Sequence, residues 1–208
     1  MGSSPTSGTK KIENDKLMVD TEIEIQVQVD NIEPLLAFLK ANAKFQKKHH
    51  QVDEYFTPIH RNFLGVRPAV EWLRLRDNDG VFSTTYKNWH VDEEGKTQYA
   101  DEYETKIESL DQLRKIFTVI DIKPLITVYK ERDIWMYKDY EVAIDKIKGL
   151  GDFVEIEYKG NNHEFNPKEV TTEMVKFLKD VGCGTIKRNY VGYPFMLLYP
   201  NEIGLDIL

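Results

Sequence analysis

Charged side chains stand two residues apart on five short segments of this 208-residue chain: Glu22 and Glu24, Glu102 and Glu104, Glu155 and Glu157, Arg74 and Arg76, and Lys130 and Arg132. In an extended strand that spacing turns both members of a pair to the same face. The alternate positions are apolar, as with Ile23 and Ile25, Leu73 and Leu75, and Val154 and Ile156. Asp145 falls in the alternation of "VAIDKI", and Lys87 follows the "DG" turn in "VFSTTYKNW". Two placements meet this pattern. The charges can form the wet outer face of an antiparallel sheet, or they can line an internal channel while the apolar faces pack outward against helices. Segregation of acid pairs from basic pairs favours the channel, because an outer face usually mixes Thr, Ser, Lys, Glu and Gln. Burying such charges is costly unless opposite charges, cations and ligand offset one another. The fitting ligand is small, strongly anionic and metal-chelating. Arginine forks and lysine point charges take phosphate oxygens, and clustered carboxylates hold Mg²⁺ or Mn²⁺. Polyphosphate satisfies both halves of the lining.

The elements that would carry these residues are legible. "TEIEIQVQVD" (21–30) alternates strictly and reads as the opening strand. Further strands are expected at 50–58, 69–80, 81–89, 99–108, 126–137, 140–151 and 152–160, with tight turns at "DNDG" and "MYKDYE". Three helices are expected: "NIEPLLAFLKANAK" with Asn31 as N-cap and Pro34 in the first turn, "SLDQLRKIFTVI" capped by Ser109 with Gln112, and "NPKEVTTEMVKFLKDVG" ending at Gly182. About eight strands in meander order, with few intervening helices, predict an α+β chain built on an antiparallel barrel or sandwich. Residues 19–208 hold no Gly/Pro/Ser-rich linker and read as one domain, while 1–18 reads as a disordered leader or expression remnant.

Composition removes some classes. The net charge of −7 argues against a broad basic face for nucleic acid, and no apolar run approaches the length of a membrane span. The single cysteine, Cys183, cannot form an intrachain disulfide, which fits a reducing cytoplasm, and its surroundings mark it as a packing residue. His49 and His50 are neighbours that a strand would turn to opposite faces, so they do not chelate together and read as a solvated loop end. Among the tryptophans, Trp89 is the candidate for substrate contact because it follows Lys87 so closely.

Taken together, the ExEx opening, "QVDEYF", "LRLR", "YKNW", "DEYETKI", "VYKER" and "AIDKIKGLGDFVEIEYKG" resemble the CYTH domain of the triphosphate tunnel metalloenzymes, and most nearly its class IV adenylyl cyclase-like group. The resemblance covers roughly residues 21–200. It implies a closed or nearly closed eight-stranded barrel with a charged interior and flanking helices. It also implies Mg²⁺ or Mn²⁺ as cofactor, a triphosphate or nucleoside triphosphate as ligand, and homodimers as a common state. By position, Glu22, Glu24, Glu104, Asp145, Glu155 and Glu157 would face the metal. Arg74, Arg76, Lys87, Lys130, Arg132 and Arg188 would hold the triphosphate, with Tyr190 and Lys187 beside Arg188. Glu155, Glu157 and Lys87 would act in catalysis. The implied reaction is triphosphate hydrolysis, with cyclisation of ATP to cyclic AMP and pyrophosphate as the alternative. One position departs from the family pattern ExExK: Gln26 stands where the lysine belongs. Glutamine donates a hydrogen bond but carries no charge, and this leaves a non-catalytic nucleotide- or polyphosphate-binding module as a further alternative.

Overall fold

The computed structural model of the protein describes residues 20–160, 166–202 and 204–208, so the leader expected at 1–18 lies outside the described residues. The opening strand is interrupted at Ile23, giving β1 (Asp20–Glu22) and β2 (Glu24–Val29). There follow α1 (Glu33–Asn42), β3 (Lys44–Pro58), β4 (Glu71–Asn78), β5 (Val81–Val91), β6 (Thr97–Lys106) and α2 (Leu110–Val119). The remainder is β7 (Ile122–Tyr137), β8 (Tyr140–Ile147), β9 (Gly151–Tyr158), α3 (Pro167–Val181), β10 (Ile186–Asn189), α4 (Tyr193–Leu198) and β11 (Leu205–Ile207).

All the strands belong to one antiparallel sheet in the order β1-β6-β5-β4-β3-β7-β8-β9-β2-β10-β11, a half-barrel with a few helices. β1 pairs with β6 and β2 pairs with β9, so a single extended segment serves two distant ladders. The hinge residue keeps its backbone satisfied, since the Ile23 carbonyl accepts from the Tyr158 amide at 2.9 Å.

Local chemistry explains the connections. Asp79 and Gly80 both take positive φ (51° and 85°), as a two-residue hairpin turn requires, and Asn78 and Val81 close the β4–β5 ladder around them. Ser109 caps α2 by accepting from the Gln112 amide at 3.2 Å, and Gly182 ends α3 at φ 91°. Asn31 accepts from the Glu33 amide, but the N-cap position of α1 falls one residue later, at Ile32.

The C-terminal pieces β10, α4 and β11 were not expected, because four-, six- and three-residue elements are too short to show a period. The stretch with His49 and His50 is part of β3 and not a loop end, because β3 pairs with β7 along almost its whole length.

The apolar faces pack as the alternation requires. Ile23, Ile25 and Val27 lie against Leu35 and Leu39 of α1 and Val170, Met174 and Leu178 of α3, together with Cys183. Each such fully buried aliphatic contributes about 1.5–3 kcal/mol. α2 covers β3 and β4 through Phe117, Leu110, Phe56 and Leu75. α4 packs Tyr193, Phe195 and Met196 against Tyr55, Trp72 and Phe153. With the aliphatic faces covered by α1, α2 and α3, the opposite faces of these strands are left to surround a polar space that Tyr55, Trp72 and Tyr193 close at the α4 end. Among the described residues no helix is long and apolar enough to cross a membrane.

Candidate functional site

That space is a cavity of about 280 Å³ inside the curved sheet. Its cationic wall comes from β4, β5 and β7, through Arg74, Arg76, Lys87, Lys130 and Arg132. Asp53 of β3 is buried behind that wall and contacts three of its cations. The Arg76 guanidinium donates to both Asp53 oxygens at 2.6 and 2.7 Å, Lys130 Nζ lies 3.7 Å away and Arg74 Nη1 4.0 Å. Burial alone would push the Asp53 carboxyl up, but Arg76, Lys130 and Arg74 outweigh it and hold the group far below the usual carboxylate range. Lys130 moves the other way. Burial, with Arg132 and Arg76 adding repulsion, lowers it to about 8.

The acidic wall is formed by Glu22 and Glu24 with Glu157 and Glu141 across the ladders, where Glu24 faces Glu157 and Glu157 faces Glu141 in register. Lys87 reaches into it, with Nζ 2.8 Å from Glu22, 3.2 Å from Glu24 and 3.0 Å from Glu102. The ammonium also lies 4.7 Å from the Trp89 ring centre. Burial raises Glu24 to about 8 against the pull of Lys87, with Glu155, Glu22 and Glu157 adding repulsion. Burial and then Glu22 raise Glu157 to about 7, although Lys159 lies 2.5 Å from it. For Glu102 the attraction of Lys87 and Arg74 overcomes burial and brings it to about 2.

This wall therefore holds more buried carboxyl groups than the nearby ammonium groups can keep ionised, and one ammonium shared among three of them stands where a hard dication would serve. The donor set fits Mg²⁺ or Mn²⁺ in chemistry, although among the described residues no three ligating groups converge at ligand distance.

A closed ring of contacts joins the two walls at the inner end. Arg132 donates to both Asp145 oxygens at 2.6 and 2.5 Å, and its Nη2 lies 2.8 Å from Glu155. The Gln26 amide donates to Glu155 at 3.0 Å, and its carbonyl accepts from Asn189 at 3.1 Å. Asn189 Oδ1 in turn accepts from the backbone amides of Val191 and Gly192, which lead into α4. Tyr193, the first residue of α4, donates its hydroxyl to Asp145 at 3.0 Å and completes the ring.

Most of the charged residues singled out in the sequence therefore meet in one place: Glu22, Glu24, Glu104, Glu155, Glu157, Arg74, Arg76, Lys87, Lys130 and Arg132 all line the cavity, as does Trp89. Two do not. Asp145 is fully buried behind Arg132, with both oxygens engaged, so it orients the guanidinium and is not turned to the cavity. Arg188 sits in a small side pocket with Tyr190, its guanidinium 4.5 Å from that ring centre and donating to the Thr97 carbonyl. Glu104 is half-exposed near the rim, where it accepts from Thr85 at 2.9 Å.

Asp53, Glu141, Lys159 and Tyr193 were not assigned from the sequence. For Asp53 the signal was present in "HQVDEYF", where Gln51, Asp53 and Tyr55 alternate with Val52, Glu54 and Phe56. Tyr193 had no such signal.

The chain belongs to the CYTH domain family, whose model matches residues 11–189. A protein of Methanocaldococcus jannaschii that carries the provisional name adenylate cyclase is 39% identical over 175 residues, spanning 82% of this chain and 96% of that protein. Among solved structures, the PH1819 protein of Pyrococcus horikoshii superposes with a TM-score of 0.71 at 26% identity, covering 86% of this chain and 99% of that one. A Hippeastrum protein described as a provisional adenylyl cyclase with a dominant triphosphatase activity has the same fold, with a TM-score of 0.60 at 18% identity over 88% of this chain and 97% of its own.

Proposed function

We propose that the protein is a divalent-metal-dependent phosphoryl-transfer enzyme that hydrolyses a triphosphate inside this cavity. The observation that carries the reading is the opposition of a cationic wall to an acidic wall across one enclosed space, with alternate side chains of nearly every strand converging on it. We read that space as the interior of an eight-stranded barrel sealed where β1 meets β2, since their ladders to β6 and β9 are separated only by Ile23.

In this scheme Arg74, Arg76, Lys130 and Arg132 bind the phosphate oxygens and align the chain. Asp145 and Glu155 orient Arg132, and Asp53 balances Arg76, Lys130 and Arg74 in place of the substrate's charge. Glu22, Glu24 and Glu157 would hold Mg²⁺ or Mn²⁺, which when bound neutralises phosphate charge and makes a coordinated water more acidic. Lys87 is released from the acidic wall to pair with the ligand's anionic oxygens. Water attacks the terminal phosphorus, the bond to the bridging oxygen breaks, that oxygen leaves with the diphosphate, and Glu157 accepts the water's proton. Hydrolysis is also what was reported for the Hippeastrum protein of the same fold.

A second reading, cyclisation of ATP by attack of its ribose 3′-hydroxyl with pyrophosphate leaving, is favoured by the name of the 39% identical relative. Incubation of the protein with tripolyphosphate and with ATP, each with Mg²⁺ or Mn²⁺, tests both when phosphate and cyclic AMP are followed separately. Release of phosphate, lost in Lys130→Ala and in Glu157→Ala proteins of unchanged circular dichroism, is the expected result. Cyclic AMP as the sole product selects the second reading. Binding without turnover overturns both and leaves a binding module.

A further inference from the structure

One cation of the cavity stands on the opposite side from the rest. Lys87 comes from β5, whose neighbour β4 supplies Arg74 and Arg76, yet its ammonium is turned into the acidic wall. It lies 2.8 Å from Glu22 on β1, 3.2 Å from Glu24 on β2 and 3.0 Å from Glu102 on β6. The oxygens that a dication would need are therefore already held by a cation that the chain itself supplies.

The ammonium fills that place by charge more than by geometry. Its contact with Glu24 has the direction of a hydrogen bond, whereas Glu102 Oε2 is buried and, among the described residues, accepts none. A hard dication takes carboxylate oxygens at about 2.0–2.1 Å and brings twice the charge. Tethering compensates, because an ammonium on a short stem meets the site at a high effective concentration. Lys159 holds Glu157 in a similar way at 2.5 Å, but its side chain is 41% exposed against 15% for Lys87, so water screens it and it competes weakly.

Glu102 also shows how Lys87 can be drawn away. One of its oxygens is 3.5 Å from Arg74 Nη2 and the other 3.0 Å from Lys87 Nζ, so a single carboxylate borders both walls. Lys87 sits opposite Glu102 across the β5–β6 ladder, and its flexible four-carbon stem lets the head turn from one side of Glu102 to the other. An anion held by Arg74 would offer it a new partner on that side.

We propose that Lys87 is a built-in counter-ion that bars Glu22 and Glu24 from a dication until an anion on the cationic wall draws it away. The empty protein then keeps no metal of its own, and metal and triphosphate enter and leave together. This rests on the triphosphate reading above. It adds a coupling: whatever binds the cationic wall tightens metal binding, and the reverse holds by the same factor.

The test uses Mn²⁺ alone, with the free ion counted by electron paramagnetic resonance, on the wild-type protein and on Lys87→Met. The substitution keeps the bulk of the stem and removes the ammonium. Lys87→Met is expected to bind Mn²⁺ more tightly by about tenfold or more. Sulfate, set against chloride of equal ionic strength, should tighten Mn²⁺ on the wild type by about fivefold or more, and on Lys87→Met clearly less. Mg²⁺ with sulfate should also shift tryptophan emission, because the ammonium leaves its place 4.7 Å from the Trp89 ring centre, and the shift should be absent from Trp89→Phe. Equal or weaker Mn²⁺ binding by a folded Lys87→Met overturns the exchange. Should that protein not fold, wild-type Mn²⁺ binding that is indifferent to sulfate overturns it alone. Failure of tripolyphosphate to bind the wild type in Mg²⁺ overturns the triphosphate reading, and the Mn²⁺ titrations still decide the exchange.

Discussion

Replacing Asp53 with Asn keeps the side chain's shape and removes the negative charge that Arg76, Lys130 and Arg74 share. Asp53 is 1% exposed, so no solvent replaces what is lost. Removing one partner of a buried ion pair costs about 3–5 kcal/mol, because the remaining charges stay buried and uncompensated. For a chain of this length each kcal/mol moves the melting temperature by about 2–4 °C, giving a fall of about 6–20 °C. The same change should strengthen ligand binding, since the three cations would then find their counter-charge only in the phosphate chain. Tripolyphosphate at about 1,000 times its dissociation constant stabilises by about 4 kcal/mol, enough to recover most of the loss. Differential scanning calorimetry of both proteins, with and without tripolyphosphate and Mg²⁺, reads both effects. A ligand-free Asp53→Asn protein that melts within about 2 °C of wild type, or a ligand-induced rise no larger than that of wild type, would refute the idea that Asp53 is a stand-in for substrate charge.

The remaining expectations concern single groups. Lys130, held near 8 in the folded chain against an ordinary lysine value of 10.5, keeps its charge below that point and loses it above, so tripolyphosphate affinity should weaken between pH 7 and 9.5. A Lys130→Arg protein should show a flatter profile. In the wild-type protein without ligand the sign for stability is opposite: between about 8 and 10.5 the unfolded chain holds the Lys130 proton and the folded chain does not, so this group's contribution to stability rises with pH. Gln26→Leu removes the hydrogen bonds to Glu155 and Asn189 and leaves the Asn189 amide unpaired. Thermal unfolding should show a loss of about 1–3 kcal/mol, and an unchanged melting curve would mean the ring of contacts at the inner end carries no strain-bearing role.

Alternation made the strands legible, and with them the convergence of Glu22, Glu24, Arg74, Arg76, Lys130, Arg132, Glu155 and Glu157, because side-chain direction in a strand follows from position alone. Depth was not legible. Asp145 keeps the same alternation as the lining residues, but Arg132 and Tyr193 occupy its oxygens, and only three-dimensional packing reveals that. Gln26 looked like a missing charge. In the structure it bridges Glu155 to the segment leading into α4, a role set by Asn189, 163 residues away. α4 itself begins "YPFMLL", too short for a helical period, and its place over the inner end of the cavity depends on contacts to distant strands.

The broken first strand has a consequence for how the chain is made. Its second half pairs with both β9 and β10, and 163 positions separate Gln26 from Asn189, so this strand completes its ladders only after the residues near 189 have been synthesised. Until then Ile23, Ile25 and Val27 have only Leu35 and Leu39 of α1 to cover them, and the acids beside them, Glu22 and Glu24, are what discourage a newborn chain from adhering to its neighbours.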